Sequence, residues 1–588
     1  MSKTYVSPPP PRRFQAKGLA LVFACGMICI MNPSLYIRTA LFSDGYQNGV
    51  IGTVNTLIKR YFSPPISRFL PPQIEETNQI RLCVLKCSIY ADNLSKEELK
   101  RYSTSFSSIG FAGIVLGMLS FGLLSDRWGR KAGMMAATLI VFVFACLSAG
   151  AYGAGGSTIG MLQALSAYRF FGGIGIGAEY PSGSVAAAEN TEQQGVPSKA
   201  QNGIFALATN AMIDVGFVCA VSDHHKHMPS YPSSSTKSLA RSICGLYGEC
   251  RLASVRRPDD NIFLFFSKLH WILTLLCFFF FEGAIPPLLV LFWRMRMNEP
   301  ESFQKYSMKR IPLSAYPWKL LFRKFGLTWF GLCLGWFIYG TYFITYPFGI
   351  YGSTVVDTIT GKSADLTIVL GWNVVINLFN VPGSIVGALL VDKIKPKTLM
   401  TICLLLQMTF GFFMSGFYTY LTQHIGGFAV MYGLFLSLGE AGPGNCLGML
   451  AAKSSPASIR GIFCKLAHLS QYGSAAAIGK LGAFAGTWIF PVLIDAFPDG
   501  ATKDTGPFWV GSALCALSAL VMWFTVVELE ENHMEAIDRD FYASLQLQGF
   551  DVNQVGIKPR ENLSDDSIMF SSAPYPVEKD LPAEKVIE

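Results

Sequence analysis

The sequence predicts a polytopic α-helical membrane protein. Hydrophobic residues make up 51% of the chain and charged residues only 15%, whereas soluble domains carry roughly 25% charged residues. Apolar runs of about 20 residues recur along the whole chain, and each is long enough to cross about 30 Å of hydrocarbon as a helix. The runs lack the alternation of barrel strands, so we expect helices that satisfy their own backbone hydrogen bonds.

About twelve spans are predicted in this way, and the first apolar region is unusually long. It extends over about 40 residues, or about 60 Å as a helix, which is twice the length that one span needs. The clearer runs that follow are 106–124, 132–152, 159–182, 204–221, 271–293, 325–348, 370–391, 399–421, 425–452, 474–494 and 509–527.

The distribution of Lys and Arg predicts the orientation of these spans. Basic residues concentrate in the linker after Trp293 and in the loop 392–398, whereas the connections 357–365 and 495–504 carry several aspartates. Because short cytoplasmic loops are enriched in Lys and Arg, both chain termini are expected in the cytoplasm. The net charge of +8 therefore follows membrane topology, and we expect no nucleic-acid partner.

Two segments of the first half recur in the second half. "SFGLLSDRWGRKAGM" aligns with "IVGALLVDKIKPKTLM", which sets Asp126 against Asp392, and "GIGAEYPSGS" aligns with "LGEAGPGN", which sets Glu179 against Glu440. Two similar six-helix halves around a basic linker are the parallel-repeat plan of a secondary transporter.

This repeat divides the chain into five parts. They are an N-terminal tail (1–18), an N-terminal half (19–293), a basic linker (294–324), a C-terminal half (325–528) and a C-terminal tail (529–588).

Four segments do not fit the two-half plan: 27–39, 63–101, 222–270 and 464–472. Three interpretations stay open, namely genuine elaborations, regulatory or metal-binding loops, and translated introns that would leave the chain inactive. The His and Cys residues of 223–250 lack regular zinc-ligand spacing, so we expect no metal site there.

The stretch Gly122–Lys131, "GLLSDRWGRK", resembles the signature between helices 2 and 3 of the major facilitator superfamily. "FSDGYQNGVIGTVNT" (42–56), "GIGIGAEYPSGSVAAAENTE" (173–192) and "AAAIGKLGAFAGTWIFP" (475–491) resemble fungal glycerophosphoinositol permeases, which are relatives of the proton-coupled phosphate symporters. The resemblance covers most of residues 40–530. It implies the major facilitator fold, with two six-helix halves and about 12 transmembrane helices.

The resemblance also implies that the signature is a latch that holds one access state closed. Helix-end charges contribute only about 0.3 to 1 kcal/mol each, which suits a contact that breaks in every cycle. The alternative is that these charges only mark membrane topology. The gating residues implied are Gly122, Asp126, Arg127, Gly129, Arg130, Lys131 and Asp392.

Ionisable residues inside the spans are the candidate functional residues, because such residues are rare and default to a functional role. The resemblance implies that Glu179, Tyr180, Asp214 and Lys480 bind substrate, and that Asp44 and Glu179 couple transport to protons. Tyr339 is a further candidate substrate residue and Arg169 a further candidate for the proton relay, each chosen from its position in a span.

The chemistry of this set suits an anionic substrate. A phosphate group at the bilayer midplane needs a cation, and Lys480 is flanked by small residues that let a ligand approach. Two alternatives for Lys480 are snorkelling and pairing with Glu440, and Arg169 is expected to pair with Glu179 or with Asp44. Relatives carry an acidic residue in helix 7, but 325–356 contains none, so Trp336, Tyr339 and Tyr342 are the remaining candidate lining residues there.

We therefore expect a monomeric, proton-coupled plasma-membrane importer of glycerophosphodiesters or phosphate. Its partners would be a small anionic substrate, protons and the lipid bilayer. We expect no cofactor, no metal and no enzymatic activity, because no nucleophile motif, phosphate-binding loop or cofactor fingerprint is present. The alternatives are a sugar or organic-anion porter, a non-transporting receptor, and an inactive product of mis-splicing.

Overall fold

The computed structural model describes a helical bundle that is apolar enough to cross a membrane repeatedly. Within the described residues there are eight helices of sufficient length and hydropathy for a membrane span, so the chain is a multi-pass membrane protein. The structure describes residues 41–52, 96–151, 157–191, 198–226, 283–296, 299, 304, 317–341, 352, 355–356, 359, 366–456, 471–498, 501–530 and 533–548.

The described part of the N-terminal half contains six helices longer than one turn, two of which consist of consecutive segments. They are α1 (41–52), α2 (Lys96–Trp128), α3 (Arg130–Ala149), α4 (Thr158–Glu179, a π turn at Tyr180–Ser184, then Val185–Thr191), α5 (Gln201–Ala208 and Asn210–Lys226) and α6 (Ile285–Arg294).

Within the described residues, the C-terminal half contributes six longer helices and the short helix Tyr418–Gln423, and one more helix follows them. Apart from the short helix, they are α7 (Trp318–Thr341), α8 (Leu366–Leu378 and Asn380–Ile394), α9 (Pro396–Gly416), α10 (Ile425–Gly439, a π turn at Glu440–Gly444, then Asn445–Lys453), α11 (Gln471–Ala496), α12 (Ala501–Thr525) and α13 (His533–Leu547).

Within the N-terminal half, α4 packs against both α2 and α3. Glycines let the backbones of α2 and α4 approach closely, because a Cβ at Gly113 would overlap the carbonyl of Phe170 and a Cβ at Gly177 would overlap the carbonyl of Ile114. Small residues at helix interfaces allow the close van der Waals packing that drives helix association in lipid.

The two halves meet through α2 against α11 and through α5 against α8. Since the internal repeat relates α2 to α8 and α5 to α11, the two contacts are equivalent to each other. A hydrogen bond of 2.7 Å from Nε1 of Trp488 to Oγ of Ser108 joins α11 to α2.

Backbone geometry also repeats between the halves. The turn from α2 to α3 places Gly129 at φ 114°, and the turn from α8 to α9 places Lys395 at φ 71°. The π turns of α4 and α10 begin directly after Glu179 and at Glu440 respectively. The residue pairs that the sequence aligned therefore lie at matching places in the two halves.

Several helices extend beyond the predicted spans. Helix α2 begins at Lys96, inside the segment 63–101, and α5 continues to Lys226, inside the segment 222–270. Helix α7 begins within the predicted linker, and α13 lies within the predicted C-terminal tail. Hydropathy marks only the part of a helix that lies in hydrocarbon, whereas the helix itself can continue into water, and this explains the extensions.

Residues 27–39 and most of 63–101, 222–270 and 464–472 lie outside the described residues.

Candidate functional site

A central cavity of about 110 Å³ lies between the two halves and is lined by both. Its walls include Tyr180 and Asp214 from the N-terminal half and Tyr339, Glu440 and Lys480 from the C-terminal half. The two π turns deliver Tyr180 and Glu440 to it, and π turns inside α-helices frequently occur at functional sites. Four of the five predicted substrate residues, Tyr180, Asp214, Tyr339 and Lys480, therefore surround one cavity.

Lys480 is the one cationic side chain among the described residues that line the cavity. It lies on α11 and is only 2% exposed. Its ammonium lies 5.0 Å from the centre of the Tyr180 ring and 5.9 Å from the centre of the Phe111 ring. Aromatic faces attract cations, so the two rings hold the ammonium group at the cavity.

Two carboxyl groups, one from each half, also line the cavity. Asp214 lies on α5, and Glu440 on α10 receives a hydrogen bond of 3.0 Å from Nδ2 of Asn210, one turn before Asp214. Glu440 interacts electrostatically with both Asp214 and Lys480. Lys480 thus has Glu440 as a charged neighbour, in line with the predicted alternative that the two residues pair. It nevertheless lines the cavity.

Asparagine side chains form another part of the cavity wall, on α8 and α10. Asn377, Asn380 and Asn445 all line the cavity. Nδ2 of Asn445 donates to the backbone carbonyl of Ser384 at 2.8 Å, and Nδ2 of Asn377 donates to the backbone carbonyl and to Oδ1 of Asn373 at 2.8 and 3.1 Å. This wall is polar and uncharged.

Asp44 lies beside the cavity rather than in its lining. Its carboxylate accepts 2.6 Å hydrogen bonds from Nδ2 of Asn48 and from the hydroxyl of Tyr180. Arg169 interacts electrostatically with Asp44, donates to the backbone carbonyl of Gln47 at 3.5 Å and lies over the Phe106 ring. Of the two partners predicted for Arg169, the structure therefore brings Asp44 to it. Tyr180 connects Asp44 to the cavity.

Glu179 makes a buried ion pair with Arg294 and is not among the lining residues. Nη1 of Arg294 donates to Oε2 of Glu179 at 2.7 Å, to Oγ1 of Thr138 at 2.7 Å and to the carbonyl of Met134 at 2.8 Å. The pair thereby joins α4 to the end of α6 and to α3. From the sequence, Arg294 was assigned to the basic linker, and its charge was interpreted only as a marker of membrane orientation.

The predicted gating residues lie at one end of the bundle, here called the motif end and defined by Gly122–Lys131. Arg130 is fully buried, donates to Oγ of Ser125 at 3.1 Å and lies 3.6 Å from Oε1 of Glu189. The Lys131 ammonium donates to the carbonyl of Met295 at 2.7 Å. The side chains of Asp126 and Arg127 lie outside the described residues.

A glutamate caps the first turn of the helix after the motif turn in each half. Glu299 accepts from the backbone N–H groups of Arg130 and Lys131 at 3.0 and 3.1 Å. Glu528 accepts from those of Lys397 and Thr398 at 2.9 and 3.2 Å. Carboxylates stabilise helix N-termini in this way. Burial raises the pKa of Glu299, and the bonds from Lys131 and Arg130 act in the opposite direction.

A Cβ at Gly129, the residue with positive φ between α2 and α3, would overlap the Glu299 carboxylate. Glycine is therefore required at this turn for both its backbone conformation and its lack of a side chain.

Asp392 connects the two halves at the motif end. Its carboxylate accepts from the backbone N–H groups of Asn202 and Gly203, at the start of α5, at 3.1 and 2.8 Å. The ammonium of the buried Lys453 donates to Oδ1 of Asn202 at 2.9 Å. Side chains of α8 and α10 thus hold the first turn of α5 from across the interface.

Sequence reasoning missed Arg294, Asn380 and Asn445 as members of these networks. Arg294 directly follows the apolar run "IPPLLVLFW", where an arginine at a membrane boundary gives no separate signal. The asparagines are uncharged, so a search for ionisable residues in spans passes over them. The available signals were their positions. Asn445 is the last residue of the repeated segment "GEAGPGN", and Asn380 lies near the middle of the apolar run 370–391.

Comparison with known proteins identifies the family of this chain. A family model described as "Sugar (and other) transporter" matches residues 33–222 and 295–541. The "Major glycerophosphoinositol permease GIT3" of Candida albicans is 34% identical over 531 residues, which cover 89% of this chain and 83% of that protein. The "Glycerophosphocholine permease GIT4" of the same organism is 34% identical over 530 residues, with coverage of 89% and 84%.

Among solved structures, the proton:xylose symporter XylE bound to 6-bromo-6-deoxy-D-glucose matches with a TM-score of 0.59 at 18% identity. The match covers 86% of this chain and 98% of that chain, and it shows a common fold. This chain therefore belongs to the sugar (and other) transporter family and has the major facilitator fold that the sequence predicted.

Proposed function

We propose that this protein imports glycerophosphodiesters across the plasma membrane, coupled to protons, by alternating access around the central cavity. The observation that carries the proposal is the position of Lys480, a buried cation at a cavity lined by both halves. A phosphodiester carries one negative charge. At about 4 Å a pair of unit charges interacts with about 4 kcal/mol at an effective dielectric constant of about 20, compared with about 1 kcal/mol in water.

The relatives support this substrate class. Two proteins that are each 34% identical over 89% of the chain are named as glycerophosphoinositol and glycerophosphocholine permeases. The two names have the glycerophosphate unit in common and differ in the head group. We therefore propose that the transporter recognises the glycerophosphate unit of the substrate. The shared unit favours glycerophosphodiester transport over sugar transport.

For the proton we propose Asp44, with Arg169 and Tyr180 as its partners. Asp44 is buried beside the cavity and is joined to it by the Tyr180 hydroxyl. Glu179, the other predicted proton carrier, is paired with Arg294 away from the cavity lining, so we assign the proton to Asp44.

For the gate we propose the contacts of Asp392 and of the Gly122–Lys131 motif. The bonds from Asn202 and Gly203 to Asp392 cross between the halves, so they must break when the motif end opens. The basic linker and the 392–398 loop support a cytoplasmic location of this end, together with both chain termini.

The proposal is tested by uptake of labelled glycerophosphoinositol, glycerophosphocholine, phosphate and hexose in yeast that lacks its own transporters for these compounds. We expect uptake of the glycerophosphodiesters, stimulated by acidic external pH and abolished by a protonophore. Uptake of hexose without uptake of either glycerophosphodiester would contradict the proposal.

A further inference from the structure

Three side-chain oxygens on residues that line the central cavity have no hydrogen-bond partner within the described part of the chain. They are Oδ2 of Asp214, Oδ1 of Asn380 and Oδ1 of Asn445. The three residues are 2%, 9% and 1% exposed, so these oxygens are buried. Buried polar atoms are normally hydrogen-bonded, and one without a partner calls for a specific explanation.

The amide of Asn445 has a fixed orientation. Its Nδ2 donates to the backbone carbonyl of Ser384, and a carbonyl only accepts hydrogen bonds. Oδ1 of Asn445 is therefore left as an acceptor. Asn377, one helical turn from Asn380 on α8, differs because its Nδ2 is already bonded to Asn373 and its oxygen is not among the unpartnered atoms.

Oδ1 of Asn445 is fixed as an acceptor, the carboxylate of Asp214 accepts, and the amide of Asn380 can present its oxygen to the same ligand, so a ligand that matches them must bring donors. A phosphodiester group has only acceptor oxygens, and its negative charge fits Lys480 rather than an acceptor wall. A hydroxyl group supplies a donor without adding charge, which suits the uncharged amides of Asn380 and Asn445. The phosphate and hydroxyl ends of one substrate thus match different walls of the same cavity.

We propose that Asp214, Asn380 and Asn445 form a glycerol subsite that accepts hydrogen bonds from the two free hydroxyls of the substrate's glycerol unit. The inference rests on the proposed function and deepens it. It explains recognition of the glycerophosphate unit irrespective of the head group, because every glycerophosphodiester carries this diol. Inorganic phosphate has no glycerol diol, so it lacks the group that this subsite would recognise.

The size of the effect follows from the cost of an unmatched buried acceptor. A site built to bind a hydroxyl discriminates against an analogue that lacks it, because the polar groups of the site then lose their solvent without gaining a partner. For a pair of hydroxyls on a small ligand we expect a preference of about tenfold or more in apparent affinity.

The experiment compares three competitors of similar length in uptake assays of the full chain, and two of them, the glyceryl and propyl esters, carry the same net charge. Glyceryl methyl phosphate carries the diol, propyl methyl phosphate lacks it, and aminopropyl methyl phosphate replaces it with an ammonium group. Each is titrated against labelled glycerophosphoinositol or glycerophosphocholine, whichever gives the stronger signal. The measured quantity is the ratio of the inhibition constants of the propyl and glyceryl esters, which is independent of expression level.

We expect the wild type to prefer the glyceryl ester by about tenfold or more, and Asn445→Leu and Asn380→Leu each to reduce this ratio to within about threefold. The matched control is Asn373→Leu, at a buried asparagine of α8 that is not among the lining residues, and it keeps the wild-type ratio.

Equal inhibition by the propyl and glyceryl esters in the wild type would overturn the inference, even if Asn445→Leu fails to fold. So would a full preference in both the Asn380 and the Asn445 variants, or stronger inhibition by the aminopropyl ester than by the glyceryl ester. If neither glycerophosphodiester is transported, the proposed function itself fails and the subsite falls with it.

Discussion

The hydroxyl of Tyr180 donates a hydrogen bond of 2.6 Å to Oδ2 of Asp44, and its ring faces the ammonium of Lys480 at 5.0 Å. One side chain thus touches both the group proposed to carry the proton and the group proposed to bind the anion. Because Tyr180 lies in the π turn of α4, a change in that turn would alter both contacts together.

The first prediction concerns Asp44→Asn, which keeps the size of the side chain and removes its charge. We expect loss of accumulation driven by a pH gradient, with exchange of substrate down its own gradient retained. Parallel measurements of pH-driven uptake and of counterflow distinguish the two activities.

Tyr180→Phe is the companion variant, since it keeps the ring beside Lys480 and removes only the donor to Asp44. Its pH-driven uptake should lie between those of the wild type and Asp44→Asn. Undiminished pH-driven accumulation in Asp44→Asn would rule out this residue as the proton carrier.

The second prediction concerns the Glu179–Arg294 pair. Glu179→Gln leaves the fully buried Arg294 without its counter-charge, and removal of one partner from a buried pair costs about 3–5 kcal/mol. We expect a marked fall in the thermal unfolding temperature of the purified protein in detergent. The double variant Glu179→Gln, Arg294→Met removes both charges and should recover part of that loss. A Glu179→Gln protein that is as stable as the wild type but has lost pH-driven uptake would instead make Glu179 a proton carrier.

The third prediction concerns the contact of Asp392 with the start of α5. Replacement of a helix-capping side chain costs about 0.5–2 kcal/mol, and here the helix and the cap belong to different halves. Asp392→Ala should therefore increase the population that is open at the motif end, measured as the labelling rate of a cysteine introduced at a cavity-lining position such as Leu447.

Glu528→Ala is the matched control, because Glu528 caps α9 within a single half. It should lower thermal stability and leave the labelling rate unchanged. Equal effects of the two variants on labelling would show that the Asp392 contact does not control opening.

The fourth prediction concerns the pH dependence of stability. Because burial raises the pKa of Glu299, the folded protein binds this proton more readily than the unfolded chain does. The resulting stabilisation is complete below the ordinary glutamate pKa and is lost as the pH rises through the raised pKa. As the pH rises from about 4, the ordinary glutamate pKa, the unfolding temperature of the wild type should fall relative to that of Glu299→Gln. Parallel curves for the two proteins, or a relative rise, would contradict the assignment.

The sequence alone predicted the helical membrane fold, because hydropathy and the positions of Lys and Arg directly reflect transfer into lipid. The internal repeat was also readable, since the aligned residues Glu179 and Glu440 both adjoin a π turn. Helix ends were less predictable, because the polar turns of α2 before Tyr102 and the whole of α13 lie outside the apolar runs.

Side-chain partnerships were the part that sequence could not supply. Arg169 had two candidate partners, and only the packing of α4 against α1 places it near Asp44 instead of Glu179. The partner of Glu179 proved to be Arg294, which is 115 residues away. The asparagine wall of the cavity was not anticipated, because an uncharged amide in a span resembles any other polar helix residue until its hydrogen bonds are known.

The central claim is that Lys480 binds the phosphate group of a glycerophosphodiester, and it is tested most directly in proteoliposomes that contain the full chain or its Lys480→Gln variant. Counterflow of labelled glycerophosphoinositol, glycerophosphocholine and hexose is measured at a fixed pH, so that proton coupling does not enter. We predict that the wild type exchanges the glycerophosphodiesters and that Lys480→Gln weakens their apparent affinity by about 10- to 100-fold, equivalent to about 1.4–2.8 kcal/mol. Exchange of hexose by both proteins at equal rates, without exchange of a glycerophosphodiester by either, would contradict the account.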